Sequence, residues 1–267
     1  MLSALFGLNA GAIAAGASRA LAGPSTPAAV SAAPAPPPFA AGLPGWQDRA
    51  LLGRPFAPGE RNVLVLHGWN GSPWDGCMLR LAEALAARYD NVLAYAYPSA
   101  LDIESNATWL RDAIAERYPG VTFDVVAFSE GGLVARTAIE PGEWNGGRTI
   151  ASHVRTLVTI GTPHDGLLAD LPPSWLGDIA SLQMRPGSTF LRELNAAPRP
   201  GNVRYALIAG DTGHGSDGIV PVESALARTT LTPAATAVLP LPHTASPTTP
   251  HLPCDPAVYA AIDRVTP

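Results

Sequence analysis

A serine hydroxyl is a weak nucleophile until a base takes its proton and a third group holds that base in place. One serine in the 267-residue chain stands where this could happen. The run Val125-Val126-Ala127-Phe128-Ser129-Glu130-Gly131-Gly132-Leu133 reads as a buried strand ending at Ser129, then small residues, then a helix. A serine on so tight a turn is held clear of the backbone, and the helix N-terminus behind it favours developing negative charge. Upstream, Leu64-Val65-Leu66-His67-Gly68-Trp69-Asn70-Gly71-Ser72 puts a His-Gly pair at the end of another apolar run. Downstream, Asp211 and Asp217 share the loop Asp211-Thr212-Gly213-His214-Gly215-Ser216-Asp217-Gly218-Ile219-Val220-Pro221. His243 and His251 come later still, so an acid and two candidate bases follow the serine.

The elements that must position these residues alternate in type. Strand-like runs are expected at Asn62–Leu66, Asn91–Tyr97, Thr122–Phe128, His153–Ile160, Val203–Ala209 and Thr236–Leu239. Helical patterns fall between them, at Asp75–Tyr89, Ser105–Tyr118 (with Ser105 as the cap) and Gly131–Ile139. Asp255–Val265 closes the chain, with Asp255 and Pro256 at its start. Strand-then-helix repetition predicts an α/β fold with a mostly parallel central sheet and helices on both faces. Residues 165–198 are the least regular stretch and are expected to form a short cap over a site.

Taken in order, these motifs resemble the α/β-hydrolases, close to the lipase and triacylglycerol-lipase-like esterases. The resemblance spans residues 60–267 and implies the α/β-hydrolase fold. It makes Ser129 the nucleophile, although Ala127 stands where the usual Gly-x-Ser-x-Gly pattern has its first glycine and Phe128 where that branch often has His. It implies that the backbone amides of Trp69 and Glu130 form the oxyanion hole, with His67 bonding loop backbone. The run Gly161-Thr162-Pro163-His164-Asp165-Gly166 matches a further family motif and makes His164 a structural residue beside the site. The Asp-Gly-Ile-Val-Pro segment matches the family's acid motif and points to Asp217, with Asp211 as the runner-up and His214 as an exposed loop residue. The base is His243 or His251: His243 comes at the usual distance from the last strand, and the surroundings of His251 also resemble family endings. Cys77 and Cys254 are expected at the same edge of the sheet, where one disulfide could join them.

The activity so implied is carboxylic ester hydrolysis through an acyl-enzyme on Ser129, with no metal and no organic cofactor. The expected partner is a small-molecule or lipid ester, with at most transient contact with a lipid interface, and the chain is expected to be a monomer. Polyester depolymerisation, acyl transfer or thioester hydrolysis on the same scaffold, and non-catalytic binding are the alternatives. Trp69, Trp74, Phe128, Trp175 and Phe190 are the aromatic candidates for an acyl pocket.

Composition narrows the field from the other side. The chain is 47% hydrophobic, which is incompatible with general disorder, and about 200 residues suffice for a sizeable core. A net charge of −5 leaves no basic footprint for nucleic acid. Two cysteines cannot build a four-thiolate zinc site. The first 45 residues hold 28 Ala, Gly or Pro, and Arg19 is their one charged residue. Residues 1–22 read as a secretory signal or a flexible leader, with Ala20-Leu21-Ala22 before Gly23 as a small-x-small cleavage pattern. Residues 23–59 read as a Pro/Ala-rich linker and lead-in. A secreted or periplasmic location is the expectation, with the cytoplasm as the alternative.

Overall fold

The computed structural model describes residues 39–40, 59–73, 75–168, 177–228, 230–244 and 251–266. The expected leader at 1–22 and nearly all of the linker lie outside the described residues, as do Trp74 and Trp175. The described residues belong to one unit, Pro36–Pro267.

Six parallel strands make the sheet, with a two-residue antiparallel strand at one edge. The edge strand is β1 (Phe39–Ala40), and the parallel ones are β2 (Asn62–Leu66), β3 (Asn91–Tyr95), β4 (Phe123–Phe128), β5 (Val154–Ile160), β6 (Arg204–Gly210) and β7 (Ala235–Leu239). Their spatial order is β1-β3-β2-β4-β5-β6-β7. Runs such as Asn62–Leu66 are buried throughout, because a parallel strand is covered on both faces. Alternate side chains enter two separate cores. Leu64, Leu66, Val125 and Ala127 face one, while Val63, Val65 and Val126 face the other.

Helices close both faces. α1 (Gly76–Ala86) and α7 (Pro256–Val265) cover the second core, through Leu81, Leu85, Val258 and Ile262. α2 (Ile103–Arg117) and α3 (Glu130–Ile139) cover the first, through Leu110, Ile114, Leu133 and Val134. The expected cap contains α4 (Ile179–Gln183) and α5 (Thr189–Ala196), whose Ala180, Phe190, Leu191 and Leu194 join that first core. A single turn, α6 (Val222–Ala225), follows the loop that carries Asp217.

Two local expectations need correction. Asp102, not Ser105, caps α2: its carboxylate accepts from the Ser105 amide at 2.7 Å, so the helix starts two residues earlier, at Ile103. A carboxylate three residues ahead satisfies an orphan amide and complements the helix dipole, which a serine inside the first turn does not do. Glu130 is the first residue of α3, so that helix begins directly after Ser129. Among the described residues, no helix is long and apolar enough to cross a membrane.

The strand order also explains where a ligand can sit. From β2 the chain moves outward to β3, then returns across β2 to β4 and continues the other way. The order therefore reverses between β2 and β4, which are hydrogen-bonded neighbours. In open parallel sheets a crevice forms beyond the carboxyl ends at such a reversal. The His67-Gly68-Trp69 loop leaves one of these two strands, and Ser129 leaves the other.

Candidate active site

Ser129 has φ 53° and ψ −125°, a conformation that L-residues seldom adopt. The surroundings hold it there. Its amide donates to Ile160 O at 2.8 Å, and its carbonyl accepts from Thr162 Oγ1 at 2.8 Å and from the Gly132 amide at 3.0 Å. The two glycines after it are required by space: a Cβ on Gly131 would lie 2.4 Å from His67 O, and one on Gly132 would lie 2.1 Å from Thr162 Oγ1. Ala127, where the family pattern has glycine, is fully buried in the core and meets no such obstacle.

The structure brings three of the candidate residues together. His243 Nε2 lies 3.0 Å from Ser129 Oγ, and His243 Nδ1 lies 2.7 Å from Asp217 Oδ2. The other oxygen, Asp217 Oδ1, accepts from the amides of Ile219 at 3.0 Å and Val220 at 2.7 Å, which fixes the carboxylate plane. The His243 amide donates to Asp217 O at 2.9 Å, so the two loops are stitched at the backbone as well. Phe128 packs its ring against the imidazole, with centroids 4.9 Å apart. Ser129 and His243 are each 6% exposed.

His251 is elsewhere. Its Nε2 lies 3.4 Å from Cys77 Sγ, beside the Cys77–Cys254 disulfide. Burial and the nearby His243 lower its pKa. That disulfide joins α1 to the segment before α7, and Leu252 of the same segment donates to Pro242 O at 3.0 Å, next to His243. Asp211 turns away from the three-residue chain: its Oδ1 accepts from the amides of Gly213, His214 and Gly215 and so organises the loop. His214 is exposed.

The loop after β2 is built around His67. Its Nδ1 donates to Gly68 O at 2.9 Å, leaving Nε2 to accept from the Tyr97 amide at 3.4 Å. Burial lowers its pKa, which keeps the ring neutral and consistent with that tautomer. The Tyr97 ring stacks on it with centroids 4.1 Å apart, and the Tyr97 hydroxyl donates to His67 O at 2.5 Å. Trp69 lies half-buried at the tip, its indole N–H donating to Asp178 Oδ2 at 2.8 Å. Within the described residues the Trp69 and Glu130 amides donate to no protein acceptor. Two backbone donors at a helix start and a glycine turn are suited to an oxyanion.

His164 belongs to a different cluster. It is fully buried, with Nδ1 3.2 Å from Arg136 Nη1 and Nε2 3.1 Å from Thr159 Oγ1. Burial, with help from the Arg136 and Arg199 charges, pushes its pKa well below the usual value. Arg136 in turn makes a bidentate pair with Glu140 at 2.9 and 3.1 Å. Of the aromatic candidates, Phe128 and Trp69 border the site, whereas Phe190 is part of the core. Tyr97 and Asp178 escaped the sequence reading. Only Asp178 carried a local signal, its three-residue spacing to Ser181 in a helix-capping pattern, and that says nothing of Trp69.

The fold is the α/β-hydrolase fold. Solved structures with the same architecture include the mature form of the Bacillus licheniformis lipase BlEst2. It is 24% identical, with a TM-score of 0.53 over 71% of this chain and 87% of that one. Aspergillus fumigatus lipase B is 19% identical, with a TM-score of 0.54 over 67% of this chain and 45% of the lipase. Phospholipase PlaB from Legionella pneumophila is 17% identical, with a TM-score of 0.57 over 76% of this chain and 59% of the phospholipase. The chain thus spans less than two thirds of the latter two. The family described as a domain of unknown function, DUF7379, matches residues 45–175. No curated protein matches the chain in sequence.

Proposed function

We propose that the protein is a serine hydrolase that cleaves carboxylic esters through an acyl-enzyme on Ser129. The observation that carries this reading is the unbroken hydrogen-bonded chain from Ser129 Oγ through His243 to Asp217, beginning at a strained serine at the sheet edge. His243 Nε2 takes the Ser129 proton as Oγ attacks the ester carbonyl. The amides of Trp69 and Glu130 stabilise the oxyanion, each donor being worth about 3 kcal/mol. Asp217 holds the imidazole tautomer and stabilises the imidazolium without accepting the proton itself. The imidazolium then protonates the departing alcohol. Water, deprotonated by His243, attacks the acyl-serine and returns the enzyme with the free acid. No step calls for a metal or an organic cofactor.

The lipase and phospholipase names among the structural neighbours support an ester or lipid substrate. The Cys77–Cys254 disulfide supports export to an oxidising compartment. The test is hydrolysis of p-nitrophenyl esters with short and long acyl chains by the wild type and by Ser129→Ala, with labelling by a serine-directed phosphonate. Cleavage by the wild type, its loss in the variant, and a phosphonate adduct on Ser129 are the expected results. A folded wild type that neither cleaves nor takes the label overturns the proposal.

A further inference from the structure

The proposed mechanism makes His243 an imidazolium twice, once as Ser129 is acylated and once as the acyl group leaves. A cation there has little water around it, because His243 is 6% exposed and Asp217 is 2% exposed. A buried charge is costly unless it is paired and hydrogen-bonded. In the plane of the ring this is provided for: Nδ1 faces Asp217 Oδ2 at 2.7 Å, and Nε2 faces Ser129 Oγ at 3.0 Å. The charge of an imidazolium is spread over the whole ring, however, and bonds made in its plane do not answer its faces. The Phe128 ring lies against the imidazole with centroids 4.9 Å apart and 30° between the planes. Two rings so close and so nearly parallel overlap in part face to face and cannot lie side by side.

The fold holds that ring in place. Phe128 ends β4 in register with Ile160 of β5, and the next amide, that of Ser129, donates to Ile160 O at 2.8 Å. The ring also lies against the loop after β2. A Cβ on Gly68 would come 3.1 Å from Phe128 Cδ1 and 3.3 Å from its Cε1, so the absence of a side chain there makes room for the ring. Gly161 leaves similar room beside the imidazole, where a Cβ would come 3.1 Å from His243 Nδ1 and 3.2 Å from Asp217 Oδ2. Half-buried Phe128 thus touches both the proposed oxyanion loop and the base. We propose that Phe128 is a positioning residue, whose π face holds the His243 imidazole and stabilises the imidazolium by cation–π attraction. A cation within about 6 Å of a ring centroid is drawn to the ring's quadrupole, most strongly where water is kept away. Neutral His243 gains less from the ring than the imidazolium does. The attraction therefore grows on the way to the transition state and raises the rate, not the affinity for substrate. It adds no bond and no proton to the mechanism; Phe128 acts through His243.

This inference rests on the serine-hydrolase reading, and its test separates the two. The whole protein is made with mono-, di- or pentafluorophenylalanine in place of Phe128, and also as Phe128→Leu. Fluorination keeps the shape of the ring nearly unchanged while it drains, and in the pentafluoro ring reverses, the charge of the face. With p-nitrophenyl esters, kcat should fall stepwise along the series, reaching a loss of about tenfold with the pentafluoro ring. KM should stay within about twofold, because acylation and deacylation pass through the same imidazolium and slow together. The melting temperature should not change. Phe128→Leu keeps apolar bulk without a π face and should lose about as much, again about tenfold in kcat. Labelling of Ser129 by the phosphonate, a single attack that needs no turnover, should slow in step. A kcat that stays level across the folded fluorinated series overturns the role. So does a loss carried by KM, which would place Phe128 against the substrate. If those proteins still cleave esters, the hydrolase reading stands without this one. If a folded wild type neither cleaves nor takes the label, the hydrolase reading falls and takes this inference with it.

Discussion

Two buried histidines, His243 and His164, lie close to the same helix and differ in how their hydrogen bonds end. His164 sits in a closed network. Arg136 and Thr159 satisfy its two nitrogens, Glu140 and Asn195 satisfy Arg136, and Arg199 adds a second cation to Glu140 at 2.8 Å. His243 sits in a line. One end is anchored by Asp217, itself pinned by two amides, and the other is the Ser129 hydroxyl on a strained backbone at the sheet edge. Burial and polarity are common to both clusters. What separates them is an open end where a reacting atom could arrive. The closed network ties α3 to α5 and to the loop after β5.

The comparison breaks most sharply under substitution. Ser129→Ala and His243→Ala should each lower kcat by about 10⁴- to 10⁶-fold while the melting temperature changes little, measured by ester hydrolysis and circular dichroism. Removing the closed network should do the reverse. Glu140→Gln leaves Arg136 buried without its counter-ion and should lower unfolding free energy by about 3–5 kcal/mol in urea titration. Its activity per folded molecule should stay far nearer wild type than that of the two site variants. A Glu140→Gln protein that was stable but inactive would erase the distinction.

Smaller effects sharpen it. Reducing the Cys77–Cys254 disulfide, which closes a loop of sequence separation 177, should cost about 2–4 kcal/mol of stability. His251→Ala should change kcat/KM by only a few-fold, because His251 contacts the disulfide and not Ser129. A loss as large as that of His243→Ala would exchange the roles of the two histidines.

The smallest expected effect is a pH dependence of stability. His67 and His164 have lowered pKa values in the folded protein, so the unfolded chain takes up their protons first as pH falls. Stability should be fully present above the ordinary histidine pKa of about 6.5. Below it, stability should decline by up to about 1.4 kcal/mol per pH unit for each histidine, until the folded-state pKa is passed. Unfolding titrations at neutral and mildly acidic pH would detect this, and His164→Gln should flatten the slope.

Much of this was legible in the chain because its signals are local. The strand at Asn62–Leu66 was read to the residue, since a short apolar run between turn residues has few other uses in an α/β chain. The turn at Ser129 was legible because the space it needs is written in Gly131 and Gly132. Helix starts were less secure. At α2 the competition between Asp102 and Ser105 is decided by which side chain reaches an orphan amide, a matter of backbone angles that composition does not convey.

By itself, then, the sequence determined the alternation of strands and helices, the serine turn and the His-Gly loop. Each of these depends on residues within a few positions of one another. Only the tertiary structure decided which histidine stands against Ser129, for that contact spans 114 residues of chain and the one to Asp217 spans 26. It alone also brought Asp178 to Trp69, 109 residues away. Periodicity and turn chemistry act over a few residues. Distances across a sheet are set by strand order and by the packing of both cores, and no short stretch of sequence contains them.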